Sequence, residues 1–219
     1  MHHTDISLPV HIKLIILAVI LCAIFSGGMY IVSRGHNESA HGITGILWPN
    51  PPSIGSFSLT NSDGNAVTER NLQGRWTLIF FGFTNCPDIC PTTLATLSQV
   101  YQRLQSNQDI FEKIQVLFVS VDPERDNGAK LQAYVDYFNH NFIGATADDE
   151  GIKQLTDQFG VVYLKVKTTG PAEYNVNHTS SVLLVDPNLR FVGIFSQPHE
   201  ANDITQRLVQ IISFVEDAG

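Results

Sequence analysis

The chain has 219 residues, of which 43% are hydrophobic and 16% charged, and its formal net charge is −8. This composition suits an ordinary globular protein and excludes wholesale disorder. The acidic balance lacks the basic footprint of a nucleic-acid binder, so no nucleic-acid partner is expected.

Residues 1–13 form a short N-terminal tail. From Leu14 to Ser33 there are 20 consecutive residues without a charge, nearly all apolar and bracketed by Lys13 and Arg34. As a helix such a run spans about 30 Å, the thickness of a bilayer core, so 14–33 is predicted to be one transmembrane helix. A cleaved signal peptide would carry a shorter apolar region, roughly 7–15 residues. Charge bias hardly sets the orientation. The short tail favours a cytoplasmic N-terminus, which gives a single-pass protein of the inner (cytoplasmic) membrane with its domain in the periplasm if the source is bacterial. Residues 34–52, with Gly, Asn and Pro and no clear period, read as a linker that Pro51-Pro52 ends.

Residues 53–219 are expected to form one domain. Phe57–Thr60 and Ala66–Thr68 flank Asn61-Ser62-Asp63-Gly64-Asn65, a hairpin signal. Trp76–Phe83 is a continuous apolar run, as in a strand buried on both faces. A helix follows over Pro91–Ser106, where Leu94, Leu97, Val100, Tyr101 and Leu104 fall at helical spacing and Pro91 suits the first turn. Ile114–Val121 is a second buried strand, and Leu131, Tyr134, Val135 and Phe138 mark a second helix. Ile152–Phe159 reads as a shorter helix stopped by Gly160. Val161–Val166, Ser181–Val185 and Phe191–Phe195 read as strands, the last two joined by a turn at Asp186-Pro187-Asn188. Ile204–Val215 closes the chain as a helix. This order predicts an α/β mixed sheet flanked by helices, in the thioredoxin-like arrangement with an N-terminal hairpin extension.

Cys22, Cys86 and Cys90 are the only cysteines, and Cys22 lies in the apolar run. One pair is left, which is too few for a disulfide-built scaffold. Cys86-Pro87-Asp88-Ile89-Cys90-Pro91 joins the buried strand to a helix, beyond the carboxyl end of the strand, where mixed sheets expose their ligand edge. Unpaired N–H groups at the helix start depress a thiol pKa there. The pair can hold one metal ion or form one disulfide. A purely structural bridge closing so short a loop would contribute only about 2 kcal/mol.

With its strand the motif reads Phe80-Phe81-Gly82-Phe83-Thr84-Asn85-Cys86-Pro87-Asp88-Ile89-Cys90-Pro91, which is closely similar to the signature of the Sco/SenC family. Ser120-Val121-Asp122-Pro123-Glu124-Arg125-Asp126 resembles the family's second motif, and Tyr174-Asn175-Val176-Asn177-His178-Thr179 the segment carrying its histidine. The resemblance runs from about Gly55 to the C-terminus. It implies a thioredoxin-like domain whose copper ligands are Cys86, Cys90 and His178. It also implies a metallochaperone that helps build the dinuclear copper site of cytochrome c oxidase. The implied partners are the copper-site subunit of that oxidase and a thioredoxin-like reductant or another copper chaperone. Two positions depart from the pattern: Asn85 stands where many members carry histidine, and Asn177 where many carry aspartate.

Two thiolates and an imidazole suit Cu(I), and the imidazole tolerates Cu(II). Zinc would normally want a fourth ligand. The sequence places His178 in a loop at one end of the sheet. The remaining histidines read as solvated or structural, with His36 and His41 at most loose metal contacts. Asp122, Glu124, Arg125 and Asp126 read either as a loop held by ion pairs or as support for the cysteine loop. Asp88 reads either as a tuner of the metal or as a cap of the following helix. The alternative is an enzyme acting through Cys86 and Cys90, either a thiol–disulfide oxidoreductase or a thiol peroxidase. The three-residue spacing, unlike Cys-x-x-Cys, and the absence of proline in Asn177-His178-Thr179-Ser180 favour metal. A redox or copper sensor is the remaining reading.

Overall fold

The computed structural model describes residues 9, 11–12, 16, 19–23, 47–48, 50–167 and 174–217. The chain divides into two compact units, Met1–Thr44 and Gly45–Gly219. Of the expected anchor, only residues 16 and 19–23 are described, and they are helical and exposed. Among the described residues no helix is long and apolar enough to cross a membrane. His36 and His41 lie outside the described residues.

In the second unit, β1 (Ser58–Asn61), β2 (Ala66–Thr68), β3 (Trp76–Gly82), β4 (Ile114–Ser120), β5 (Ile143–Thr146), β8 (Val182–Val185) and β9 (Phe191–Phe195) form one sheet in the order β2-β1-β5-β4-β3-β8-β9. β3 pairs in parallel with β4, and β4 with β5. The outer pairings, β1 with β2 and β5 and β8 with β3 and β9, are antiparallel. Every residue of β3 and β4 is buried, the pattern that continuous apolar runs dictate for central strands.

The helices are α1 (Glu69–Leu72), α2 (Ile89–Leu104), α3 (Gln108–Phe111), α4 (Gly128–Phe138), α5 (Asp149–Phe159) and α6 (Ala201–Asp217). Neighbouring residues of β3 point to opposite faces. Phe80 meets Phe118, which in turn meets Tyr134 of α4, while Phe81 meets Phe159 of α5. Helices therefore cover both faces, and the mixed α/β architecture is thioredoxin-like, with β1–β2 as the added hairpin. Gly160 ends α5 in the left-handed conformation, φ 64°, where a side chain would be strained.

Two strands differ from the sequence reading. β5 reads Ile-Gly-Ala-Thr, too short and too small in its side chains to register as a strand. β7 (Tyr174–His178) replaces the expected loop around His178. It pairs antiparallel with β6 (Tyr163–Lys167) in a two-stranded sheet separate from the main one. The linker reading through Pro52 also stops short of the structure. Trp48 N–H donates to the Val192 carbonyl at 3.2 Å and Phe191 N–H to the Pro52 carbonyl at 2.8 Å, so Trp48 and Pro52 both pair with β9.

Candidate metal centre

β3 delivers the cysteine loop. Cys86 N–H donates to the Phe83 carbonyl at 3.2 Å, turning the chain at the strand end, and α2 begins one residue before Cys90. The turn brings the sulfurs together: Cys90 N–H points at the Cys86 sulfur at 3.4 Å. Cys90 is fully buried, and Cys86, 9% exposed, lines a cleft of about 510 Å³ together with Phe83, Ile89, Val176, Asn177 and His178.

β7 brings in the imidazole. His178 Nε2 lies 3.4 Å from the Cys90 sulfur, and its Nδ1 lies 2.9 Å from the Thr179 carbonyl oxygen. That carbonyl can only accept, so Nδ1 carries a proton there and Nε2 is the nitrogen turned toward the sulfurs, the one left for metal ligation. Phe80 and Phe83 hold the ring edge-on, with centroids at 6.1 and 5.9 Å. The donor atoms of Cys86, Cys90 and His178 all lie within 4.8 Å of one another. The three residues singled out in the sequence thus converge, as one ion bound by all three requires.

The pair is electrostatically split. The hydrogen bond from the Cys90 thiol, against the cost of burial and with help from His178 and the Cys90 N–H, lowers the Cys86 pKa from 9.0 to about 4. Cys90 is driven the other way, because its proton serves Cys86 and its site is desolvated. Asp88 stands at the N-cap position of α2 but makes no capping bond with its side chain. His199 is structural: its Nδ1 lies 3.0 Å from the Thr93 hydroxyl and its Nε2 3.2 Å from the Phe195 carbonyl.

The loop after β4 supports both halves of the site. Asp126, its side chain wholly buried, accepts from Thr84 N–H at 2.8 Å, from the Thr84 hydroxyl and from the Ser120 hydroxyl at 2.5 Å. Lys130 lies 3.4 Å from Asp126 and donates to Asn85 Oδ1 at 2.7 Å. Asp122, equally buried, accepts from Arg125 Nε and from the Tyr174 hydroxyl at 2.5 Å. Arg125 Nη1 donates to the Tyr174 carbonyl at 2.9 Å, and the guanidinium carbon lies 3.9 Å from the Tyr174 ring centroid and 5.7 Å from that of Phe83. Sequence reasoning raised this loop as support but missed Gly82, Lys130 and the role of Tyr174. The signal for Gly82 was a glycine inside a buried strand, which marks a close approach. For Lys130 it was the four-residue step from Asp126.

This is a thioredoxin-like domain carrying a compact thiolate–imidazole donor set at the carboxyl edge of its central strand. The sequence model of the SCO1/SenC family matches residues 49–213, and the chain belongs to that family. It is 37% identical over 158 residues to the mitochondrial SCO1 homolog 1 of Arabidopsis thaliana, covering 72% of this chain and 46% of that protein. The chain thus spans less than half the length of that relative. Identity to an SCO2-like protein of Rickettsia conorii is 33% over 197 residues, 86% of this chain and 93% of the other. Among solved structures it resembles Arabidopsis thaliana ScoI with copper bound, at 36% identity and a TM-score of 0.69, covering 74% of this chain and 99% of that one.

Proposed function

We propose that the chain is a membrane-anchored copper metallochaperone. It holds one copper ion between Cys86, Cys90 and His178 and passes it to the copper-site subunit of cytochrome c oxidase. The observation that carries this reading is the aim of His178 Nε2 at the two sulfurs, with all three donors within 4.8 Å. Two sulfurs and one nitrogen form a soft set of three, which suits Cu(I) and admits Cu(II). Copper is cargo here, and the open cleft above Cys86 gives a recipient a way in. Residues 14–33 anchor the chain in the inner membrane and, for a bacterial source, place the domain in the periplasm. A thioredoxin-like reductant keeps the cysteines ready, or another copper chaperone loads them.

The test is titration of the full chain, fully reduced and held in detergent, with Cu(I) and Cu(II). One ion per chain is expected, with a sulfur-to-copper charge-transfer band for Cu(II). A chain that binds no copper with both thiols reduced sinks the proposal. Orientation is read separately: an impermeant thiol reagent should label Cys86 in intact spheroplasts after mild reduction, whereas labelling seen only after lysis reverses the topology.

A second reading is favoured by the split acidity of the pair. A thiolate at Cys86 beside a protonated Cys90 is the arrangement of a dithiol that attacks a disulfide. The same two residues would then reduce the cysteines of the recipient.

A further inference from the structure

The donor set is assembled from two bodies that share no ladder. The cysteines lie at the end of β3, in the seven-stranded sheet, and His178 ends β7 in the separate β6–β7 ribbon. A lone two-stranded ribbon is marginal by itself, so backbone pairing within it does not fix where its imidazole stands relative to the sulfurs. The loop Asp122–Asp126 touches both bodies through different side chains. Asp126 holds Thr84, and through Lys130 also Asn85, the two residues before Cys86. Arg125 and Asp122 hold Tyr174, the first residue of the strand that ends at His178.

We propose that this loop is a two-armed clamp setting the sulfur–imidazole distance, with Arg125 and Asp126 as positioning residues for the two halves. This rests on Cys86, Cys90 and His178 being the metal donors. Arg125 makes three contacts that one planar guanidinium alone can make together: Nε to the Asp122 carboxylate, Nη1 to the Tyr174 carbonyl, and its face on the Tyr174 ring. Copper holding needs both arms. Dithiol chemistry needs chiefly the cysteine half, so the Asp126 arm serves both activities and the Arg125 arm serves mainly copper. Of the groups facing Asp126, the Thr84 N–H on one carboxylate oxygen and the Lys130 ammonium on the other can only donate, so a carboxamide there would set donor against donor whichever way it turned, with no change of size.

The experiment uses the full chain and three measurements: competition for Cu(I) against a chromophoric chelator, the Cu(II) charge-transfer spectrum, and the equilibrium of the dithiol with oxidised glutathione. In that exchange one protein disulfide forms as one glutathione disulfide becomes two thiols. Arg125→Gln is expected to weaken copper about 10- to 100-fold, the usual loss when groups supporting a ligand are removed, and to shift the band while the dithiol equilibrium moves far less. Arg125→Lys keeps the charge but cannot span Asp122 and the Tyr174 carbonyl, and it should lose copper in the same way. Asp126→Asn should move both copper affinity and the dithiol equilibrium. Tyr174→Phe keeps the ring and the backbone carbonyl and removes only the hydroxyl's contacts with Asp122 and Glu124. It should give a smaller copper loss with a dithiol shift smaller still, and it serves as the test if the arginine variants do not fold. Arg125 variants with parental copper affinity and spectrum, or with the dithiol moved as far as the copper, overturn the clamp while the parent's own binding leaves the copper reading standing. A parent that binds no copper overturns both.

Discussion

Gly82 lies against the Cys90 sulfur so closely that a Cβ built on it would come within 2.9 Å of Sγ and 2.8 Å of the Phe118 ring. The sulfur of a proposed ligand therefore occupies the space that any side chain at position 82 would need. Gly82→Ala should destabilise the fold by about 1–3 kcal/mol through overpacking, a fall of several degrees in Tm for a domain of this size. Because one neighbour is the sulfur itself, copper affinity should fall too. A calorimetric scan and a copper titration read the two effects, and an unchanged Tm would show that Phe118 and Cys90 yield freely.

The acidity of Cys86 gives a pH signature for the reduced, copper-free chain. An ordinary thiol titrates near 9.0, so its alkylation rate climbs roughly tenfold per pH unit through neutrality. With a pKa of about 4, Cys86 is already thiolate at neutral pH, and its alkylation by iodoacetamide should be nearly flat from pH 6 to 8. The sign for stability follows. The folded value lies below the unfolded one, so between about 4 and 9.0 the unfolded chain binds more protons, and this contribution grows as pH rises and is lost as pH falls. A Cys86 rate that rises steeply across pH 6–8, measured by peptide mapping, would contradict the acidity that the neighbouring Cys90 thiol confers on Cys86.

Much of the fold was legible because its central strands are continuous apolar runs and its longer helices keep a 3.6-residue stripe. β3, β4, α2 and α6 all fall within a few residues of their sequence limits. β7 was not legible: Tyr-Asn-Val-Asn-His holds two asparagines and one buried side chain, Val176, so propensity reads it as a loop. The extended backbone it adopts comes instead from pairing with β6. The cysteine pair was legible from its spacing and its place beyond a buried strand, whereas His178 was legible as a donor only through the family's motif, because it meets Cys90 across 88 residues and no local period reports such a contact. The same holds for Asp126 and Thr84, 42 residues apart, whose contact appears only once β3 and β4 lie side by side.

His178→Ala separates the two chemistries that share this cleft. The imidazole is one of the three donors proposed for the metal but takes no part in a Cys86–Cys90 disulfide, whose sulfurs are brought together by the turn at Cys86 and the N–H of Cys90. Removing it leaves two sulfurs and an open position that water fills poorly for a soft ion, so copper affinity should fall strongly. The disulfide should still form and be reduced. Cys86 loses one of the lesser contributions to its acidity and keeps the largest, the Cys90 thiol, so it should remain far more acidic than an ordinary thiol. Cys86→Ser and Cys90→Ser, in contrast, should each abolish both activities. Chelator competition and thiol titration on the three variants decide the matter. If His178→Ala holds copper as tightly as the parent, the histidine is only the end of a strand, and the dithiol reading takes over. If the variant loses copper and, in cells, oxidase assembly while its disulfide still cycles, delivery of the metal is the activity that the cleft serves.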